Sequence, residues 1–175
     1  MRHTCTLLAA AALSARLLTP AAAAPAVGCD GFLWPLKTEI ALLTSPESET
    51  VASGATLPAA SPDKAIALTL KPAPEVTLPI KATGTPKPGD DKKFAGFVSF
   101  THVPAGHYQI SLSRHGWIDV VQNGAALEAT GHTGSSNCDS LGKSVRFEIS
   151  DGPLAIQVYG VKQDNIKITV RPAAD

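Results

Sequence analysis

The sequence has no excess of charge of either sign. Its 175 residues include 15 Lys and Arg against 15 Asp and Glu, a formal net charge of zero. Residues 1–26 contain Arg2 and Arg16 and no acid, so the rest of the chain has 13 basic residues (15 − 2 = 13) against 15 acidic ones, a net charge of −2. Proteins that bind nucleic acid carry a concentrated basic surface, so this balance predicts no nucleic-acid partner.

Long apolar runs are also missing. The stretch Leu7–Leu18 is interrupted by Ser14 and Arg16. It is shorter than the roughly 20 residues that a membrane-spanning helix needs. The chain is therefore predicted not to be membrane-spanning.

The N-terminus instead has the three parts of a secretory signal peptide. A basic start at Arg2-His3 precedes the apolar stretch, and Ala24-Pro25-Ala26 fits the pattern of small residues at a cleavage site. We expect residues 1–26 to be a signal peptide and the mature protein to be periplasmic or secreted.

Cysteine is scarce, and its three positions are informative. Cys5 lies in the predicted signal peptide, which leaves Cys29 and Cys138. An even number of cysteines in an exported protein predicts a disulfide between them. An alternative is lipidation of Cys29, since Ala26-Val27-Gly28-Cys29 loosely matches a lipoprotein cleavage motif.

Motifs of common catalytic and cofactor sites are absent as well. The sequence contains no Gly-x-Ser-x-Gly elbow, no Cys-x-x-Cys pair, no phosphate-binding loop and no dinucleotide fingerprint. It also lacks the His-x-His and following Glu of a cupin metal centre. We expect no cofactor and no catalytic residue.

What the sequence does contain is period-two alternation of apolar and polar residues, which is typical of antiparallel strands with one buried face. It predicts an all-β, jelly-roll-like antiparallel β-sandwich of about eight or nine strands in a domain over residues 65–175. The predicted inward positions are Ile66, Leu68, Leu70, Val76, Leu78, Ile80, Val98, Phe100, Tyr108, Ile110, Leu112, Ile118, Val120, Val145, Phe147, Ile149, Leu154, Ile156, Val158, Ile166, Ile168 and Val170.

Short turn sequences between these strands predict hairpins. Asn123-Gly124 and Asp151-Gly152 are typical of two-residue type I′ turns. A loop over residues 102–106 and a turn over residues 114–116 are predicted to join neighbouring strands in the same way. In each case the resulting register sets an apolar residue opposite another apolar residue.

Residues 27–64 have a different texture. They are predicted to form a short helix over Trp34–Leu43, with Pro35 in its first turn, inside an otherwise irregular N-terminal segment. Residues 47–63 and 81–93 are rich in Ser, Thr, Pro and Gly and are predicted to be surface loops.

Part of the strand pattern resembles a known family. Residues 103–113, 156–160 and 166–170 are similar to the repeated strand motif of bacterial pre-peptidase C-terminal domains. The resemblance covers about residues 94–171. It implies a jelly-roll sandwich that serves as an accessory or binding module.

The chain as a whole is also similar to short exported bacterial proteins, some of which are labelled homogentisate 1,2-dioxygenase. That label implies a small metal-dependent enzyme. Its metal ligands would be His102 and His107, which flank one predicted loop, with Asp119 or Glu128 as a third ligand. We keep this as the alternative function.

A binding site is the preferred interpretation. The alternation places Trp117 on the outward face, with Asp119, Ser111 and Gln109 as outward neighbours. An exposed indole among hydroxyl, amide and carboxylate groups suits a glycan, an envelope polymer or a protein partner. The alternative is that a loop or residues 27–64 cover Trp117. Trp34 is expected to pack in a core near Cys29.

Overall fold

The computed structural model describes residues 28–85 and 87–174, so the predicted signal peptide lies outside the described residues. Within them the chain forms one α-helix, twelve strands and two 3₁₀ turns, at Ala73–Glu75 and Asp90–Lys92. In chain order the elements are α1 (Lys37–Thr44), β1 (Ser48–Ala52), β2 (Ala55–Leu57), β3 (Ala65–Thr69), β4 (Lys71–Pro72), β5 (Phe94–Val103), β6 (Gly106–Leu112), β7 (Trp117–Gln122), β8 (Ala125–Ala126), β9 (Ala129–Gly134), β10 (Lys143–Ile149), β11 (Gly152–Val161) and β12 (Asn165–Pro172).

The strands form two sheets in a sandwich, which confirms the predicted fold class. Sheet A has the order β1-β3-β12-β6-β10-β9. Sheet B has the order β2-β5-β11-β7-β8, and β4 pairs with β5. Both sheets are mixed, because β1 runs parallel to β3 and β2 runs parallel to β5 while the other pairs are antiparallel. Several of the strands beyond the eight or nine predicted are only two or three residues long.

The core lies between the two sheets and is aliphatic with two central phenylalanines, Phe100 and Phe147. Every predicted inward position outside residues 76–80 packs into or against this core. Burying each Val, Ile, Leu or Phe side chain contributes about 1.5–3 kcal/mol, so the alternation directly reports the force that closes the sandwich.

Strand pairing differs from the prediction at three of the four hairpins. β10 pairs with β6 and β9, whereas β11 pairs with β5 and β7. The connection through Asp151-Gly152 therefore crosses from sheet A to sheet B, and the β5–β6 and β6–β7 connections also cross between sheets. Strands that face each other across a core also set apolar residues opposite one another. The inward register therefore does not distinguish a hairpin from a crossing.

The fourth hairpin, at Asn123-Gly124, is confirmed. Gln122 pairs with Ala125, and both turn residues have positive φ, 54° and 75°. These are the angles that a type I′ turn requires.

Two segment predictions are also wrong. Residues 47–63 contain β1 and β2, each of which runs along the edge of a sheet. The strand predicted over residues 76–80 does not form, because Pro74 and Pro79 have no N–H to donate to a ladder. The predicted short helix is present as α1, but it begins at Lys37, three residues later than Trp34.

The predicted disulfide is present. Cys29 is bonded to Cys138, with 4.7 Å between the Cα atoms, and so joins the segment before α1 to the β9–β10 connection. A second, smaller apolar cluster lies beneath this segment; it contains Leu36, Leu43 and Leu141, with Trp34 packed against it. Trp34 thus packs near Cys29 as predicted, but it is only half-buried and lies at the edge of this cluster.

Candidate functional site

Sheet B has an outer face, turned away from the core, to which β7 and β11 contribute alternate residues. Asp119 is the register neighbour of Gln157, and Trp117 is the register neighbour of Tyr159. Half-buried and exposed residues alternate along residues 76–85, and the N–H groups of Ile80, Thr83 and Gly84 donate to side chains of this face. We call this segment the strap. The period-two pattern of the strap therefore reflects contact with the outer face of sheet B, not a strand facing the core.

Asp119 joins the strap to the sheet. The residue is buried, with 4 % of its surface exposed. It accepts hydrogen bonds from Thr83 N (3.1 Å), Thr83 Oγ1 (2.6 Å), Gln157 Nε2 (2.9 Å) and Trp117 Nε1 (3.0 Å). A buried carboxylate is costly unless its oxygens are satisfied, and here charge-assisted hydrogen bonds satisfy both. Asp119 therefore fixes the strap and the Trp117 indole together.

The strap approaches Trp117 closely at Gly84. Gly84 N donates to Tyr159 Oη at 2.8 Å. A Cβ atom at this position would lie 3.0 Å from two Trp117 ring atoms and from Tyr159 Oη. A residue without a side chain is what allows the strap to end against these two rings.

Beyond Gly84 a cleft of about 460 Å³ opens at this end of the sandwich. Trp117 and Tyr159 line it, with ring centroids 6.2 Å apart. Its polar neighbours include Lys143, His115 and Lys87, together with Asp90 and Lys93, which pair with each other. We call it the Trp117 cleft. Trp117 remains 42 % exposed there, so it points away from the core as predicted, and the strap covers only part of it.

Lys143 reaches the cleft from the opposite sheet. It is the first residue of β10, and its Nζ lies 4.5 Å from the centroid of the Trp117 ring, a cation–π contact. Burial lowers the pKa of Lys143, and the Asp119 carboxylate offsets part of this effect. Burial also raises the pKa of Tyr159 to about 12, so its hydroxyl stays protonated at neutral pH.

The structure separates the four residues predicted to bind a ligand. Trp117 and Asp119 lie on sheet B, but Ser111 and Gln109 lie on β6 in sheet A. Ser111 and Gln109 were predicted to be outward neighbours of Trp117 through the turn at residues 114–116, and this is wrong, since β6 pairs with β10 and β12. Ser111 is buried and hydrogen-bonded to Ser144, at 2.8 Å.

Tyr159 and Lys143 were not among the predicted site residues. Tyr159 could have been found, because it has outward parity next to the inward Val158, by the same argument that placed Trp117. Lys143 could not, because its contact with Trp117 joins strands of different sheets.

The two histidines of the alternative metal site have separate partners. His102 Nε2 lies 3.1 Å from Asp151 Oδ1, and His107 Nε2 lies 2.9 Å from Thr130 Oγ1. His102 belongs to sheet B and His107 to sheet A. In the part of the chain that the structure describes, no three His, Cys, Asp or Glu side chains are grouped to hold a metal ion.

Comparison with models of known protein families and with curated proteins finds no match to this chain. No helix among residues 28–85 and 87–174 is long and apolar enough to cross a bilayer.

Proposed function

We propose that this protein is an exported, non-catalytic module that binds a glycan of the cell envelope in the Trp117 cleft. The observation that carries the proposal is the state of Trp117. Its ring is 42 % exposed, yet its Nε1 is fixed by a 3.0 Å hydrogen bond to a buried carboxylate. A fixed aromatic surface loses little conformational entropy when a ligand packs on it.

The chemistry of the cleft suits a sugar ring. The apolar face of a pyranose packs on an aromatic ring, while its hydroxyl groups need hydrogen-bonding partners at the edge. Trp117 and Tyr159 supply the aromatic surface, and Lys143, Lys87 and His115 supply polar groups around it. The volume of about 460 Å³ falls within the range common for ligand sites.

Export is part of the same proposal. The Cys29–Cys138 disulfide supports it, since stable disulfides form in oxidising compartments. The disulfide also occupies Cys29 Sγ, the atom that a lipid anchor would need. Protein recovered from the periplasm should have lost about 26 residues and should show neither free thiol nor acyl chains in its intact mass.

The test of glycan binding is retention on insoluble polymers: peptidoglycan sacculi, chitin, mannan and polygalacturonate. Wild-type protein should be retained on at least one of them, and Trp117→Ala should not. His102→Ala, which changes an exposed residue outside the cleft, serves as the matched control and should bind like wild type.

A fluorescence readout separates loss of binding from loss of fold. Trp34→Phe leaves Trp117 as the single tryptophan of the chain. Soluble fragments of the retaining polymer should change the emission of Trp117 in this variant. Without ligand, the variant should melt at the same temperature as the wild type. Retention of Trp117→Ala equal to that of wild type would exclude the cleft as the binding site.

A further inference from the structure

Partly buried Lys and Arg side chains lose part of their hydration, and a hydrogen bond to an oxygen acceptor offsets this loss. Five Lys and Arg residues are partly buried in the described part of the chain. Four have such an acceptor. Lys93 pairs with Asp90, Lys167 donates to Ser45 O, Arg146 donates to Ala174 O, and Arg171 pairs with Glu39.

Lys143 is the exception. Within residues 28–85 and 87–174 its Nζ has no hydrogen bond and no ion pair; what it contacts is the face of the Trp117 ring. An ammonium group has three N–H donors, and a ring face satisfies none of them as well as an oxygen does. The nearby Asp119 carboxylate is already engaged by Thr83, Trp117 and Gln157.

The backbone holds Lys143 at this position. The preceding residue, Gly142, donates its N–H to Leu112 O at 2.9 Å. A Cβ on Gly142 would lie 2.3 Å from the Arg114 carbonyl carbon, so the chain passes too close to Arg114 for any side chain there. Lys143 thus enters the cleft from a rigid strand end.

We propose that the ligand of the Trp117 cleft is an acidic glycan, and that Lys143 binds its carboxylate or phosphate group while the sugar ring packs on Trp117. This inference rests on the proposed function and specifies its substrate class. Lys93 and Asp90 also line the cleft and form an ion pair with each other, so the exposed Lys87 adds a second positive charge to that of Lys143. An anion would supply the acceptor that Lys143 lacks.

The experiment compares two matched pairs of polymers: polygalacturonate with its carboxyl-reduced form, and phosphomannan with mannan. Wild-type protein should bind the acidic member of at least one pair about tenfold or more tightly than the neutral member, as expected for hydrogen bonds to a charged group. The pair that shows the preference identifies the anion as carboxylate or phosphate. Binding to that member should weaken as NaCl is raised from about 50 to about 500 mM, because this range shortens the screening length roughly threefold.

Variants assign the effect to one side chain. Lys143→Met should remove the preference for the acidic polymer, and Lys143→Arg should retain most of it. Lys64→Met, which removes an exposed lysine that does not line the cleft, should change nothing. Thermal melting of each variant establishes that it is folded, and the salt dependence of the wild type tests the inference without any variant.

The outcomes separate the two proposals. Equal binding of acidic and neutral members, abolished in both cases by Trp117→Ala, overturns the acidic ligand and leaves the glycan-binding site standing. If Lys143→Met binds the acidic member as tightly as the wild type does, Lys143 does not bind the anion and this inference is overturned. No binding to any of these polymers or to sacculi and chitin overturns both.

Discussion

On both outer faces of the sandwich, polar side chains are buried beneath another segment of the chain, but the contacts that hold this segment differ. Both carry buried polar side chains, such as Gln109 and Ser111 on sheet A and Asp119 and Gln157 on sheet B. The N-terminal segment contacts sheet A with apolar side chains and a disulfide. The strap covers sheet B through hydrogen bonds and ends at Gly84.

The two tryptophans show what this difference produces. A cation lies over each ring: Arg146 at 4.4 Å over Trp34 and Lys143 at 4.5 Å over Trp117. Arg146 also donates to Gln109 and Ala174 O, whereas Lys143 has only the ring among the described residues. On sheet A, Arg146 has oxygen acceptors, whereas the strap on sheet B leaves Trp117 partly exposed and Lys143 without an oxygen acceptor among the described residues.

Removing the disulfide, which holds the N-terminal segment on sheet A, should have the largest effect on the free energy of unfolding. It closes a loop with a sequence separation of 109 residues, which the chain-entropy model values at about 4–5 kcal/mol. Replacing Cys29 and Cys138 with serine should lower the free energy of unfolding by up to that amount, measured by denaturant titration. A loss below ~1 kcal/mol would mean that the apolar contacts alone hold the cover on sheet A.

Removing Asp119 should release the cover on sheet B. Asp119→Ala leaves the Thr83 donors and the buried Gln157 amide without their acceptor, and hydrogen bonds to a charged group are worth about 1.5–3 kcal/mol. We expect a loss of roughly 3 kcal/mol and faster amide exchange at Ile80–Gly84. Asp151→Ala, at an exposed aspartate, is the control; an equal loss there would refute the special role of Asp119.

Gly84→Ala tests how closely the strap must approach Trp117. The added Cβ lies 3.0 Å from the Trp117 ring and from Tyr159 Oη, so we expect a loss of about 1–2 kcal/mol and a change in Trp117 fluorescence. Gly31→Ala is the matched control, since a Cβ there meets nothing within 4 Å and its φ is not in the left-handed region. Equal stability of the two variants would show that the strap can move away from Trp117 at Gly84 without cost.

The pH dependence of Lys143 should be the smallest effect. Burial lowers its folded-state pKa below the ordinary value of 10.5, so the folded protein binds this proton less well than the unfolded chain does. Stability should therefore rise with pH between the lowered pKa and 10.5 by this contribution, and the contribution should be absent in Lys143→Met. Denaturation curves of both proteins over that interval give the difference, and parallel pH profiles would contradict the shift.

Predictions from the sequence succeeded where one local cause decides the outcome. Val145, Phe147 and Ile149 are buried because alternation assigns each residue of a strand to one face. The Asn123-Gly124 hairpin formed because these residues accept positive φ. The outward orientation of Trp117 followed from the same parity.

Predictions failed where the outcome depended on which sheet a strand joins. Inward parity is the same for a hairpin partner and for a strand across the core, so the pairing of β10 with β11 was predicted wrongly and Ser111 was placed beside Asp119. Residues 76–80 alternate like a strand, but the N–H of Ile80, like that of Thr83 after it, donates to a side chain of sheet B rather than to a ladder.

The sequence by itself determined the sandwich class, the core positions, the disulfide and the outward tryptophan, because each depends on local alternation or on residue type. The tertiary structure decided the strand order, the strap and the contact of Lys143 with Trp117. Those features require segments that are distant in the chain to meet, as Thr83 meets Asp119 and Lys143 meets Trp117. Such meetings depend on the closing of the whole sandwich, which no local pattern encodes.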